Sequence, residues 1–135
     1  MSKLRVLLAD DHREICTLVT HILEPAASEI VGSVGDGQAL LEAAAKLKPD
    51  VIILDISMPV LNGIEAAVKL KESGSTSRVV FLTVHADPDF IKACLATGAL
   101  GYVFKERMER DLLPAIHEAL KGRAFVSSIP AERSA

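Results

Sequence analysis

The 135-residue sequence lacks the features that mark secreted, membrane-spanning and nucleic-acid-binding proteins. Its two cysteines, Cys16 and Cys94, lie inside periodic apolar segments, which is typical of reduced core residues rather than of a disulfide framework. No apolar run approaches the ~20 residues of a membrane span, and Asp10 and Asp11 interrupt the first apolar stretch too early for a secretory signal. Basic residues (15) are fewer than acidic ones (18), so the charge pattern of a nucleic-acid binder is missing. We therefore expect a soluble, cytoplasmic, single-domain chain.

Aliphatic residues are abundant, and they occur in two alternating patterns. Near-continuous apolar runs at 4–9, 30–34, 51–54, 79–84 and 100–104 are typical of strands buried on both faces. Each run is followed by a segment whose apolar residues recur at helical spacing. Because every link between strands contains a helix, the sequence predicts an α/β fold with a single five-stranded parallel sheet and helices on both faces.

Several boundaries can be assigned to particular residues. Asn62 with Glu65 resembles a capping box, and Asp87 precedes a proline suited to the first turn of a helix. Pro114 would break a helix that began near residue 108, so we expect the last helix to begin late, with Asp111 as its N-cap, or to be kinked. Periodicity ends at residue 122, which predicts a domain over 1–122 and a tail or the start of a linker over 123–135.

The polar residues that follow the strands are the candidates for chemistry. Open parallel sheets bind ligands beyond the carboxyl ends of their strands, and those ends carry Asp10, Asp11, Asp55, Thr83 and Lys105. Two carboxylates about 5 Å apart repel by roughly 3 kcal/mol at an effective dielectric constant of ~20. One lysine cannot offset three carboxylates, whereas Mg²⁺ would, and a carboxylate beside Mg²⁺ and lysine can attack phosphorus to give an aspartyl phosphate.

Taken singly, each of these residues has an ordinary structural explanation. Asp11 could cap the first helix, Asp10 and Asp55 are common loop residues, Thr83 favours strands, and Lys105 could be a solvated charge. Their joint occurrence at one edge of a parallel sheet carries the inference.

Four motifs resemble the receiver domains of two-component response regulators, most closely the NarL/FixJ subfamily. They are residues 7–12 (LLADDH), 53–59 (ILDISMP), 83–86 (TVHA) and 101–105 (GYVFK), and the resemblance covers residues 4 to 122. It implies a flavodoxin-like sheet with strand order 2-1-3-4-5. It also implies a phosphoacceptor that promotes its own phosphorylation and dephosphorylation rather than an enzyme acting on a separate substrate.

The resemblance also assigns roles at the phosphorylation site. Asp55 matches the residue that takes a phosphoryl group from a sensor histidine kinase. Asp10 and Asp11 match the acidic pair that holds Mg²⁺, together with Asp55 and the backbone carbonyl of Ser57.

Further matches concern the response to phosphorylation. Thr83 and Lys105 match the hydroxyl and the lysine that bind the phosphoryl oxygens, and Tyr102 matches the aromatic switch. Tyr102 could also be an ordinary half-buried strand residue. The family further implies a possible phosphorylation-dependent homodimer. The charge balance and the lack of a long apolar run predict that this chain itself binds neither nucleic acid nor membrane.

Some positions depart from the family pattern or tune it. Glu106 stands where many receivers have proline after the lysine. Ser57 and His85 occupy positions that adjust dephosphorylation in the family. His12, His21 and His117 lack metal-ligand spacing, and we expect them to be surface residues.

Competing functions are less well matched. A haloacid-dehalogenase-like phosphatase needs a second acid two residues after its nucleophile, where Ser57 stands. A flavodoxin-like nucleotide-binding module needs a phosphate loop, and Gly32, Gly35 and Gly37 lack the dinucleotide spacing. The output is expected to be transcription, through a DNA-binding domain absent from these residues; a stand-alone receiver acting by protein contacts is the alternative.

Overall fold

The computed structural model describes residues 3–128, in which strands and helices alternate as expected. The elements are β1 (Leu4–Ala9), α1 (Arg13–Leu23), β2 (Ser28–Val34), α2 (Gly37–Leu47), β3 (Val51–Leu54), α3 (Gly63–Glu72), β4 (Arg78–Thr83), α4 (Pro88–Ala96), β5 (Gly101–Phe104), α5 (Met108–Leu120) and β6 (Phe125–Val126). All neighbouring strands pair in parallel, in the order β2-β1-β3-β4-β5-β6. The predicted α/β class and the predicted order of the first five strands are confirmed. No helix within the described range is both long and apolar enough to cross a bilayer.

The sheet has one strand more than the sequence predicted. Phe125 and Val126 pair with β5, and the backbone N–H of Phe125 donates to the carbonyl of Leu100 at 2.8 Å. Two residues are too few to show a period, so the segment looked like a tail. The pairing is favourable because it satisfies backbone groups on the otherwise open edge of β5. The rest of the predicted tail, 129–135, lies outside the described residues.

Apolar side chains cover both faces of the sheet. On one face, the buried cluster joins Leu40 of α2, Ala66 and Leu70 of α3 and Cys94 of α4 to the strands. On the other face, α1 and α5 contribute the residues Val19, Leu23, Met108, Leu112 and Ile116. Helices on both faces leave the strand ends as the place where polar groups of several strands can meet.

The last helix begins earlier than we predicted. Helix α5 begins at Met108 and contains Pro114 in its interior, so the prediction of a late start with Asp111 as N-cap is wrong. Met108 and Leu112 are buried against the sheet, and their packing outweighs the backbone bond that the proline removes. The capping box of Asn62 and Glu65 and the cap at Asp87 are confirmed.

One glycine brings the start of α3 against the loop that follows β3. The N–H of Gly63 donates to the carbonyl of Ile56 at 2.8 Å. A Cβ at Gly63 would lie 2.1 Å from the carbonyl oxygen of Asp55, so no larger residue fits without moving that backbone. This close approach fixes the position of the loop that carries Asp55.

Candidate functional site

Two acidic residues are buried at the carboxyl ends of adjacent strands. Asp10 follows β1 and Asp55 follows β3, and their residues are only 4% and 3% exposed. Their backbones are held by the sheet, because Asp10 donates its N–H to Val34 and Asp55 donates its N–H to Ala9. Asp11 lies beside them and is exposed. The structure therefore brings together the three carboxylates predicted from the sequence.

Lys105 is the cation of this group. Its Nζ lies 2.8 Å from Asp10 Oδ2 and 3.3 Å from Asp55 Oδ2, and its side chain is only 9% exposed. The contact with Asp55 is a hydrogen bond. Among the described residues, Asp10 Oδ2 is buried and ion-paired but accepts no well-aligned hydrogen bond. That oxygen keeps capacity for a further cation.

His12 belongs to the same site, which the sequence analysis missed. Its backbone N–H donates to Asp10 Oδ1 at 2.8 Å, and its ring Nδ1 lies 2.9 Å from the same oxygen and 3.2 Å from Asp11 Oδ1. The hydrogen bond with Asp10 is the largest cause of a raised pKa at His12. The residue is exposed, as predicted, but it borders the acids. Its place directly after Asp11 in the chain was the signal available, since the turn into α1 folds its ring back over the acids.

The charges of the site do not balance without a further cation. Burial raises the pKa of Asp55, the negative charge of Asp10 raises it further, and Lys105 opposes both effects. One ligand atom each from Asp10, Asp11, His12 and Asp55 can be chosen so that all lie within 4.8 Å of one another. A cluster of carboxylate oxygens at this spacing could hold a metal ion, and that ion would stabilise the ionised form of Asp55.

A second set of contacts connects the ends of β3 and β4. Thr83 is fully buried at the end of β4, and its Oγ1 accepts from the N–H of His85 at 3.3 Å. Ser57 Oγ and His85 Nε2 are hydrogen-bonded at 2.8 Å, which joins the loop after Asp55 to the loop after Thr83. The ring of His85 also stacks on Phe90 of α4, with ring centres 4.5 Å apart. His85 therefore links the acidic site to α4.

Tyr102 approaches this second set from β5. Its side chain is fully buried rather than half-buried, and its hydroxyl donates to the carbonyl of His85 at 2.6 Å. The sequence is compatible with Tyr102 as a switch residue and as an ordinary strand residue. The hydrogen bond places it in contact with the loop after Thr83, as a switch residue requires, and the moving role stays a prediction.

The raised pKa of Asp55 predicts how the metal-free protein responds to pH. A carboxyl group with a higher pKa in the folded state than in the unfolded state makes folding less favourable as pH rises through those two values. Because asparagine carries no charge, Asp55→Asn should be more stable than the wild type at neutral pH in EDTA, and this difference should disappear at acidic pH. Urea unfolding at several pH values measures this.

Asp89→Asn is a matched control, because Asp89 is exposed on α4. It should give no gain in stability. If Asp55→Asn is no more stable than the wild type at neutral pH, the ionised carboxylate of Asp55 does not destabilise the folded protein.

Comparison with known proteins agrees with this geometry. Residues 6–117 match the family model of the response regulator receiver domain. The nitrate/nitrite response regulator NarL of Escherichia coli K12 is 36% identical over 123 residues, which are 90% of this chain and 57% of that protein. This chain therefore spans a little over half the length of that relative.

Two solved receiver-domain structures are also similar to this chain. The signal receiver domain of a response regulator NarL from Mycobacterium tuberculosis superposes with a TM-score of 0.85 at 30% identity, covering 91% of this chain and 100% of the other. The isolated receiver domain of RcsB from Salmonella enterica serovar Typhimurium, solved with phosphomimetic BeF₃⁻, gives 0.85 at 28% identity, covering 94% and 95%. With its parallel sheet and its acids beside a buried lysine, this chain belongs to the response regulator receiver domain family.

Proposed function

We propose that Asp55 is the phosphoacceptor of this receiver domain and that a sensor histidine kinase is its phosphoryl donor. The observation that carries the proposal is the burial of Asp55 within 3.3 Å of the Lys105 ammonium and beside Asp10. A buried structural aspartate would need only the lysine as its partner, whereas a second carboxylate beside it raises the free-energy cost of ionising it. The added acids therefore favour a role in binding a cation and a phosphoryl group.

Phosphoryl transfer exchanges one bond to phosphorus for another. A carboxylate oxygen of Asp55 forms a bond to phosphorus while the bond between phosphorus and the donor's imidazole nitrogen breaks. The departing imidazole keeps the electron pair of that bond and takes a proton from solvent water, and Asp55 becomes an acyl phosphate. Lys105 lies beside the acceptor carboxylate and offsets negative charge as the phosphoryl group arrives.

The residues present fit a magnesium ion. Asp10, Asp11 and Asp55, with the backbone carbonyl of Ser57, are the ligands we propose; hard oxygen donors at the observed spacing suit this cation. When bound, Mg²⁺ would supply positive charge to the phosphoryl oxygens. It would also oppose the effects of burial and of the negative charge of Asp10, which together raise the pKa of Asp55.

The signal follows from differential binding. A phosphoryl group on Asp55 offers new acceptor oxygens to the hydroxyl of Thr83 and to Lys105, and only one arrangement of these two residues satisfies them. That arrangement is favoured when the phosphoryl group is present, so the population of the domain shifts. Tyr102 would follow, because its hydroxyl is bonded to the loop that begins after Thr83.

The output proposed is transcriptional control through a DNA-binding domain that residues 1–135 do not include. The relatives that support it are named as transcriptional regulatory proteins or response regulators, and this chain covers only part of each. Signalling by protein contacts alone is the alternative. The net charge of −3 argues against DNA binding by this chain itself. Its two free cysteines support a cytoplasmic location.

Intact-mass measurement tests the central proposal. After incubation with acetyl phosphate and Mg²⁺, the wild type should gain the mass of one phosphoryl group. Asp55→Asn should gain none, and EDTA should prevent the gain in the wild type. An adduct that persists in Asp55→Asn would place the acceptor elsewhere. If no adduct forms under any condition, the proposed function is wrong.

The lifetime of the phosphoryl group should depend on Ser57 and His85. Their side chains are hydrogen-bonded to each other at 2.8 Å beside Asp55, so removing either one changes the access of water to the phosphoryl group. Ser57→Ala and His85→Ala should each change the dephosphorylation rate, whereas His21→Ala, an exposed residue of α1, should not. Unchanged rates in both variants would refute this role.

Pairing of two phosphorylated copies is the remaining part of the proposal, and it rests on family membership. With Mg²⁺ and beryllofluoride, light scattering should give a molar mass in solution near twice that of the untreated chain. Equal masses with and without the phosphate mimic would exclude a phosphorylation-dependent homodimer.

A further inference from the structure

A buried polar cluster fastens the chain after α5 to the sheet. Ser127 is 3% exposed, and its Oγ donates to Asp111 Oδ2 at 2.7 Å. The same hydroxyl accepts from the backbone N–H of Phe104 at 3.2 Å. Asp111 Oδ2 also accepts from Arg107 Nε at 3.2 Å. The N–H of Ser127 donates to the carbonyl of Tyr102, so backbone and side chain both hold this residue.

This cluster contacts the chain on both sides of Lys105, through a backbone N–H before it and through a side chain after it. Phe104, whose N–H is bonded to Ser127, is the residue immediately before Lys105. Arg107, whose side chain is bonded to Asp111, follows two residues later. A single turn of 3₁₀ helix, Lys105–Arg107, lies between these two attachments. Such a short turn has little internal hydrogen bonding, so its position depends on what holds its ends.

Lys105 must contact two carboxylates at the same time. Its Nζ must reach both Asp10 and Asp55 from the end of β5, and the contacts are 2.8 and 3.3 Å. Hydrogen-bonded ion pairs of this kind depend on the donor–acceptor distance and angle, and they weaken steeply when the angle falls below about 120°. Loss of the Ser127 hydroxyl would leave the Phe104 N–H unsatisfied beside the lysine and loosen the backbone there.

We propose that Ser127 and Asp111 are positioning residues for Lys105, and that docking of residues 125–128 on β5 and binding of a phosphoryl-type anion at Asp55 strengthen each other. The inference rests on the proposed phosphoryl acceptance at Asp55. The coupling is reciprocal. If docking of residues 125–128 raises the affinity for the anion by some factor, binding of the anion raises the equilibrium constant for docking by the same factor. Phosphorylation of Asp55 would thereby affect the docking of residues 125–128, which follow the last helix.

The affinity for Mg²⁺ can be compared with the affinity for the anion. The proposed metal ligands lie in the loops after β1 and β3, on strands that the Ser127 cluster does not touch. Loosening Lys105 should therefore weaken the anion and should not weaken Mg²⁺. A mutation that merely damaged the fold would weaken both.

Ser127→Ala in the full chain tests the inference, with Ser128→Ala as the matched control because Ser128 is the exposed neighbour. Beryllofluoride binding in saturating Mg²⁺ should weaken about three- to tenfold in Ser127→Ala, the range expected for one buried hydrogen bond. It should be unchanged in Ser128→Ala. The affinity for Mg²⁺ alone should not fall in either variant.

The outcomes separate the two proposals. If the wild type binds no beryllofluoride, the proposed function fails and this inference fails with it. If the wild type binds it and Ser127→Ala binds it equally well, only the inference fails. A parallel loss of Mg²⁺ and beryllofluoride affinity in Ser127→Ala would reduce Ser127 to a structural residue and overturn the positioning role.

A measurement on the wild type keeps the inference testable if the variant does not fold. The amide of Phe125 donates to Leu100, just before β5, and the amide of Ser127 donates to Tyr102 within β5, so their hydrogen exchange reports docking of this segment. Beryllofluoride with Mg²⁺ should slow exchange at both amides by more than Mg²⁺ alone does. Unchanged or faster exchange would contradict the proposed coupling.

Discussion

The site depends on like charges that are forced together. Asp10 and Asp55 are buried at the ends of neighbouring strands, with Asp11 beside them, and within residues 3–128 only Lys105 and His12 lie close enough to offset their charge. Separating these groups would be favourable, but the backbone does not allow it. Asp10 and Asp55 follow directly after β1 and β3, which are paired in register through Leu8–Ile53 and Ala9–Leu54. The free energy of burying the sheet holds the acids together, and we expect this surplus negative charge to make the site respond to a metal and to a phosphoryl group.

Two routes lead from this charge cluster to the rest of the molecule. One passes through the loop after β4, where Thr83, Ser57 and Tyr102 all contact His85 and the His85 ring stacks on α4. The other passes through Lys105 to the polar cluster that holds β6 against β5. The first route consists of hydrogen bonds and a stacked ring pair, and the second of ion pairs and hydrogen bonds. We therefore expect a change in charge at Asp55 to alter contacts at these positions.

Strong local signals made most of the fold and site predictable. Buried parallel strands have continuous apolar runs, and acids that follow such runs must meet at one edge, so Asp10, Asp55 and Lys105 could be placed together without coordinates. His12 directly follows Asp11, but its contact with the acids depends on the direction of a single turn, which the sequence pattern does not show. Strand β6 is too short to show a pattern, and the start of α5 was misplaced because local proline rules ignore the burial of Met108.

Magnesium titration followed by amide NMR tests the account most directly. We expect saturable one-site shifts concentrated in the loops after β1 and β3, where the three acids lie, with weaker binding in Asp11→Asn. Asp11 is the informative position because it is exposed and its replacement does not disturb the core. If the wild type shows no saturable shifts in those loops, or if Asp11→Asn binds Mg²⁺ as tightly as the wild type, these carboxylates do not form a metal site and the account is wrong.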